Sequence, residues 1–167
     1  MKKYITVLVA LALISGIQAQ KKLDIPGAEE LLKLLPSKIK GVELRVEKDK
    51  IKPSTGFIGV SVFREYGTPD QNIRIVLINN SPSLPVINDF IEKAASVKSV
   101  NNTVVSVDGM PGVLQTLIGE DGKTNYEIVV PLTATLLSIR STGYNRADLL
   151  EIANNINISQ MAKKLSK

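Results

Sequence analysis

The chain has 167 residues, 21 basic and 16 acidic side chains, a net charge of +5, and neither histidine nor cysteine. Those two absences exclude Ser-His-Asp and Cys-His catalysis, disulfide staples, and the structural zinc sites that draw their ligands from Cys and His. Stability must come from an apolar core, and with aromatic residues at only 4% that core is built mainly from Val, Ile and Leu.

Lys2 and Lys3 precede an apolar run over residues 4–17 and then Gln18-Ala19-Gln20. A short basic head, an apolar stretch too short to span a bilayer, and a small residue before polar sequence predict a Sec-type signal peptide over 1–19. Removal of 19 residues from 167 leaves 148, a single α+β domain over 20–167, in a periplasmic or secreted protein. The positive charge is uneven. Residues 20–52 carry nine basic and six acidic groups and 161–167 carry three lysines, while 53–160 carry seven basic against ten acidic. No surface gathers Lys and Arg with stacking aromatics, so nucleic acid is not an expected partner.

From Asp24, early Pro26, Glu29 and Glu30 with apolar Ala28, Leu31, Leu32 and Leu35 predict a short helix that Pro36 ends. Val42, Leu44 and Val46 alternate with charged residues as a half-buried strand does, and residues 48–56 read as a polar turn. A β-rich run over 57–66, a turn at Gly67-Thr68-Pro69-Asp70 and the apolar run over 73–78 complete a three-strand meander. The last of these is apolar on both faces, which predicts a central strand covered on both sides. Ser83 and Pro85 open a second helix with Ile87, Phe90, Ile91 and Ala94 on one side, ending near Val97.

Residues 103–141 hold four more strands. Turns fall at Asp108-Gly109-Met110-Pro111-Gly112 and at Glu120-Asp121-Gly122, with a further break at Pro131. Asn145 then starts a helix with Leu149, Ile152, Ala153 and Ile156 as its apolar stripe, and Ile158, Met161, Ala162 and Leu165 continue after a break at Asn157. The order α-β-β-β-α-β-β-β-β-α predicts an α+β fold with a mainly antiparallel sheet of about seven strands and helices packed on it. Ile75, Leu77, Phe90, Val105, Val107, Ile128, Val130, Ile139, Leu149 and Ile152 are expected in one core.

This order, the Val107-Asp108-Gly109-Met110-Pro111-Gly112 turn, the Asp121-Gly122 hairpin and the closing helix over 147–156 resemble the PsbP-like α/β/α sandwich domains of small exported proteins. The resemblance covers roughly 42–160 and includes no catalytic motif. It implies a fold used for binding and assembly support, with little enzymatic precedent.

Four patterns are candidates for chemistry. Ser37-Lys38-Ile39-Lys40 has the Ser-x-x-Lys spacing of penicillin-recognising enzymes, but no Lys-Thr-Gly follows and it falls where a helix ends. Gly122-Lys123-Thr124 lacks the earlier glycine of a phosphate loop, because position 117 is leucine, and reads as a hairpin turn. Asp108, Glu120 and Asp121 would offer oxygen ligands if they met at one end of the sheet. Arg64, Arg74 and Arg140 would form a polar sheet face able to hold an anion if they share a side, against the plainer expectation that they pair with Glu65 and Glu127. Separately, Lys21, Lys22, Lys163, Lys164 and Lys167 would make a basic patch for an anionic membrane surface or an acidic protein partner if the termini lie together.

No catalytic, cofactor or metal residue is assigned. The expected function is an exported, non-enzymatic binding or accessory protein. The alternatives are an apolar-ligand carrier, which would need an enclosed apolar cavity, and a small hydrolase, which would need facing carboxylates in a cleft.

Overall fold

The computed structural model describes residues 27–39, 41–53, 59–94, 96, 99–119 and 121–166. The order is α1 (Ala28–Leu34), β1 (Leu44–Pro53), β2 (Val60–Gly67), β3 (Asn72–Asn79), α2 (Leu84–Glu92), β4 (Asn102–Val107), β5 (Met110–Ile118), β6 (Thr124–Leu132), β7 (Thr135–Thr142), α3 (Arg146–Asn154) and α4 (Ile158–Leu165). All seven strands form one antiparallel sheet in the order β1-β2-β3-β7-β6-β5-β4. Two meanders, β1-β2-β3 and β4-β5-β6-β7, are therefore joined side by side through β3 and β7. The fold is α+β in the expected order, with the last helical stretch divided into α3 and α4 at the break expected near Asn157.

Period-2 alternation gives the sheet two different faces. The first carries Val62, Ile73, Ile75, Leu77, Val107, Leu114, Ile128, Val130, Leu137 and Ile139. These are buried with Leu31 of α1, Leu149 and Ala153 of α3, and Ile158 and Met161 of α4. The second carries Val113, Val129 and Leu136, packed with Ile78 beneath Ile87, Leu84, Phe90 and Ile91 of α2. The expected single core is thus two clusters separated by the sheet. Phe90 is only partly buried and belongs to the second, while Val105 and Ile152 lie at the margin of the first. The other seven expected core residues are buried in the first. β3 is central and covered on both sides, as its doubly apolar sequence predicts.

Three boundaries depart from the sequence reading. β1 continues to Pro53 where a polar turn is expected over 48–56, and its register with β2 slips between Arg45 and Lys50. Such a bulge lets a polar edge strand keep pairing. The β4–β5 turn is Asp108-Gly109 alone, both with positive φ (50° and 74°), and Pro111 and Gly112 already belong to β5. Paired positive φ angles match the twist of a two-residue hairpin, and Asp-Gly supplies them cheaply. β6 passes through Pro131 and turns at Thr133 instead. Proline is tolerated there because β5–β6 pairing begins only at Val113–Val129, so Pro131 has no β5 partner to lose.

The β2–β3 turn is closed by Thr68 N–H donating to the Gln71 carbonyl at 2.9 Å and by Asn72 Nδ2 donating to the Pro69 carbonyl at 3.1 Å. Gly143, just beyond β7, has φ 73°, and a Cβ there would sit 2.4 Å from the Asp70 carbonyl oxygen. Only glycine allows the turn to lie against the end of β7. That close approach sets Asn72 opposite Thr142 at the open end of the sheet.

Candidate functional site

α2 covers only part of the second face. Beyond it, one cross-strand row is polar on every strand. Arg45 pairs in register with Glu65, Glu65 with Arg74, Arg74 with Arg140, Arg140 with Glu127, Glu127 with Gln115, and Gln115 with Asn102. The middle of this row places two guanidinium groups on directly opposed positions of β3 and β7. Like charges so placed repel, and the row offsets this by flanking each arginine with an acid on its outer side.

The flanking pairs are well formed. Arg74 Nε donates to Glu65 Oε1 at 2.6 Å, and Arg74 Nη2 donates to the same oxygen. Arg45 Nη1 lies 4.0 Å from Glu65 Oε2, and the Arg74 guanidinium sits 4.9 Å above the Phe63 ring, within cation–π range. Glu127 Oε2 accepts from Arg140 Nη2 at 3.0 Å, while its Oε1 accepts from the buried Ser138 hydroxyl at 2.5 Å. The acids are sunk, with side chains 10% and 11% exposed, whereas Arg74 and Arg140 are 48% and 52% exposed. The row is therefore acid at its base and cationic at its surface.

Arg74 and Arg140 line a cleft of about 530 Å³ together with Glu65, the polar Asn72, Asn125 and Thr142, and an apolar wall from Leu117 and Ile118. That volume suits a small molecule. Arg74 Nη1 and Arg140 Nε and Nη1 have no protein partner among the described residues, which leaves N–H groups available to an anion in the cleft.

Arg64 does not join this face. It pairs in register with Ile75, so its side chain leaves the sheet on the first face. There its Nη1 donates to the carbonyls of Leu35 and Pro36 at 3.0 and 3.2 Å, and Tyr66 Oη donates to the Pro36 carbonyl at 2.5 Å. The two side chains thereby satisfy the chain just past α1, where carbonyls would otherwise be orphaned.

Asp108 and Asp121 do not gather. They lie at the two ends of β5, a nine-residue strand, about 30 Å apart by strand rise; Glu120 is outside the described residues. Asp108 Oδ2 instead accepts from Ser159 N–H at 2.8 Å in the first turn of α4, and this bond holds its carboxyl below the ordinary aspartate value. Asp121 Oδ1 accepts from Lys123 N–H at 3.1 Å inside the β5–β6 hairpin, which likewise lowers its pKa. The Gly122-Lys123-Thr124 segment is that hairpin's return into β6.

Among the described residues no group of three His, Cys, Asp or Glu is placed to hold a metal ion. Lys163 and Lys164 are exposed in the last turn of α4, while Lys21, Lys22, Lys167 and the Lys40 of the Ser-x-x-Lys match lie outside the described residues.

Sequence reasoning named Arg74, Arg140 and their two acids but not the order in which they alternate. Glu65 and Arg74 stand at equal distances from the Thr68–Gln71 turn, so folding that hairpin pairs them. Asn72, Asn125 and Thr142 carried no such signal. Comparison with protein-family models, with curated proteins and with solved structures gives no match.

Proposed function

We propose that this is an exported, non-enzymatic binding or accessory protein whose cleft on the open half of the sheet takes a small organic anion. The observation that carries the reading is the opposed pair Arg74 and Arg140, on the two strands that join the meanders, with N–H groups left over at the cleft surface. A planar carboxylate between them would accept from both guanidinium groups and relieve their mutual repulsion. Asn72, Asn125 and Thr142 would serve its neutral polar atoms, and Leu117 and Ile118 a short apolar portion.

A carboxylate-dependent hydrolase is a poorer fit. Glu65 and Glu127 are three strand spacings apart, about 14 Å between backbones, and each is engaged by an arginine. Export rests on the Lys2-Lys3 head and the apolar run before Ala19. The resemblance to PsbP-like sandwich domains belongs to the same reading, since it implies binding and assembly roles.

The test is a titration of isotope-labelled protein with acetate, succinate and citrate, followed through backbone amide resonances. Residues 72–75, 117–119 and 139–142 should shift, and Arg74→Gln/Arg140→Gln should abolish the response. Millimolar di- and tricarboxylates that leave those resonances unmoved would sink the reading.

A further inference from the structure

We infer that a second anion site, selective for phosphate-bearing groups, lies where the C-terminal end of α1 meets α4. Here Lys33 of α1, Lys38 of the following segment, Arg64 of β2 and Lys164 of α4 converge on one cleft of about 370 Å³. Four cationic side chains line it, Lys33 and Lys38 from the basic N-terminal part, Lys164 from the basic C-terminal end and Arg64 from the net-acidic middle, and among the described residues no acid does. The convergence is therefore made by the fold rather than by a run of lysines.

Two features distinguish it from lysines that merely complement a helix end. The carbonyls past α1 are already served by Arg64 and Tyr66, so Lys33 and Lys38 are not needed for them. Among the described residues neither of these lysines, nor Lys164, makes an ion pair. Asn157 at the start of α4 and Gln160 and Lys164 on it face the same cleft, adding amide donors beside the ammonium groups.

Three mobile ammonium groups around a fixed guanidinium favour a compact anion with several acceptor oxygens and more than one negative charge. Lysine binds phosphate as a point charge, whereas a planar carboxylate is better served by paired guanidinium groups. The shared chemistry is a phosphate ester or diphosphate, either free in solution or as a lipid head group at a membrane surface.

Two probes separate the sources: inorganic pyrophosphate followed by calorimetry and amide shifts, and co-sedimentation with phosphatidylglycerol vesicles against phosphatidylcholine vesicles. One probe or both should bind at low salt, weaken as salt rises, and perturb resonances near 33, 38 and 157–164. The exposed triple variant Lys33→Gln/Lys38→Gln/Lys164→Gln should lose affinity by about tenfold or more. Arg74→Gln/Arg140→Gln should leave it unchanged, which keeps this site distinguishable from the sheet cleft. Pyrophosphate binding alone identifies a soluble ligand, and vesicle binding alone a head group. Failure of both probes, binding that survives the lysine triple variant, or binding abolished by the arginine variant would each overturn the inference.

Discussion

On its first face the sheet presents Ile73, Ile75 and Leu77 of β3 beside Leu137 and Ile139 of β7, all buried beneath helices. On its second face the same two strands present Arg74 and Arg140, half exposed, with Val76 and Ser138 next along. Backbone, pairing and strand order are identical; only the side of the pleat differs. Antiparallel sheets permit this division because successive side chains leave on opposite sides, so one strand supplies packing and a charged surface together. Here the first face gives the fold its stability. The second, only partly roofed by α2, is left free to carry like charges at close quarters. The repulsion between Arg74 and Arg140 is offset by Glu65 and Glu127, and the packing on the other side of the same strands holds the two backbones together against what remains.

The largest expected effect tests that division directly. Ile75→Ala removes three buried carbons from the middle of the first cluster and should lower stability by roughly 2–5 kcal/mol, whereas neighbouring Val76→Ala on the second face should cost about 1 kcal/mol or less. Denaturant titration of the two variants gives both values. Equal losses would mean that the second face is as much a core as the first.

The division was partly legible in the sequence. β3 reads as central because Val76, Leu77 and Ile78 make both of its faces apolar toward one end, and α2 lies over that end. The Glu65–Arg74 register follows from the Thr68–Gln71 turn, one residue beyond the Gly67-Thr68-Pro69-Asp70 turn that the sequence predicts. Pairing of Arg140 with Glu127 was the plainer expectation and is found, but its register did not follow, because a break at Pro131 displaces the β6–β7 turn from Thr133-Ala134. The opposition of Arg74 and Arg140 depends on β3 pairing with β7 across α2 and three strands. No local pattern specifies such a long-range pairing. Arg64 shows the limit from the other side: alternation places it with Val62 and Tyr66 on the packed face, and what the sequence does not show is that the end of α1 brings carbonyls there to receive its charge. The basic cleft at α1 and α4 is likewise assembled from residues far apart in the chain, and the lysine counts at the two ends hint at it without locating it.

A smaller effect probes the charged row. Glu127→Ala removes the acceptor of the buried Ser138 hydroxyl and the outer partner of Arg140. A loss of about 1–3 kcal/mol is expected, part of it from the Arg74–Arg140 repulsion left uncompensated, and that part should shrink as salt is raised. Glu127→Gln keeps an acceptor for Ser138 and should recover much of the loss while retaining the salt dependence. A cost for Glu127→Ala within about 0.5 kcal/mol of zero, the ordinary range for surface substitutions, would reduce the row to a solvated face.

The smallest effect concerns how the helices of the packed face are fastened. Asp108 sits in the β4–β5 turn, yet its carboxylate caps α4 through Ser159 N–H, and its own N–H donates to Asn154 Oδ1 at the end of α3 at 3.0 Å. One hairpin thus holds two helices, and its acid has a folded-state pKa below the unfolded value because the N–H bond favours the charged form. The sign follows: the stabilisation is complete above the unfolded-state pKa, near pH 4, and is lost as pH falls through the lower folded-state value. Asp108→Asn isolates this charge, since asparagine tolerates the positive φ of the turn and still offers an oxygen to Ser159. The variant should be less stable by about 0.5–1 kcal/mol at neutral pH, with the gap closing as the solution is acidified below the folded-state pKa. Thermal unfolding of both proteins across the acid range measures it. A gap that stays constant with pH would assign the loss to altered turn geometry rather than to the carboxylate at the start of α4.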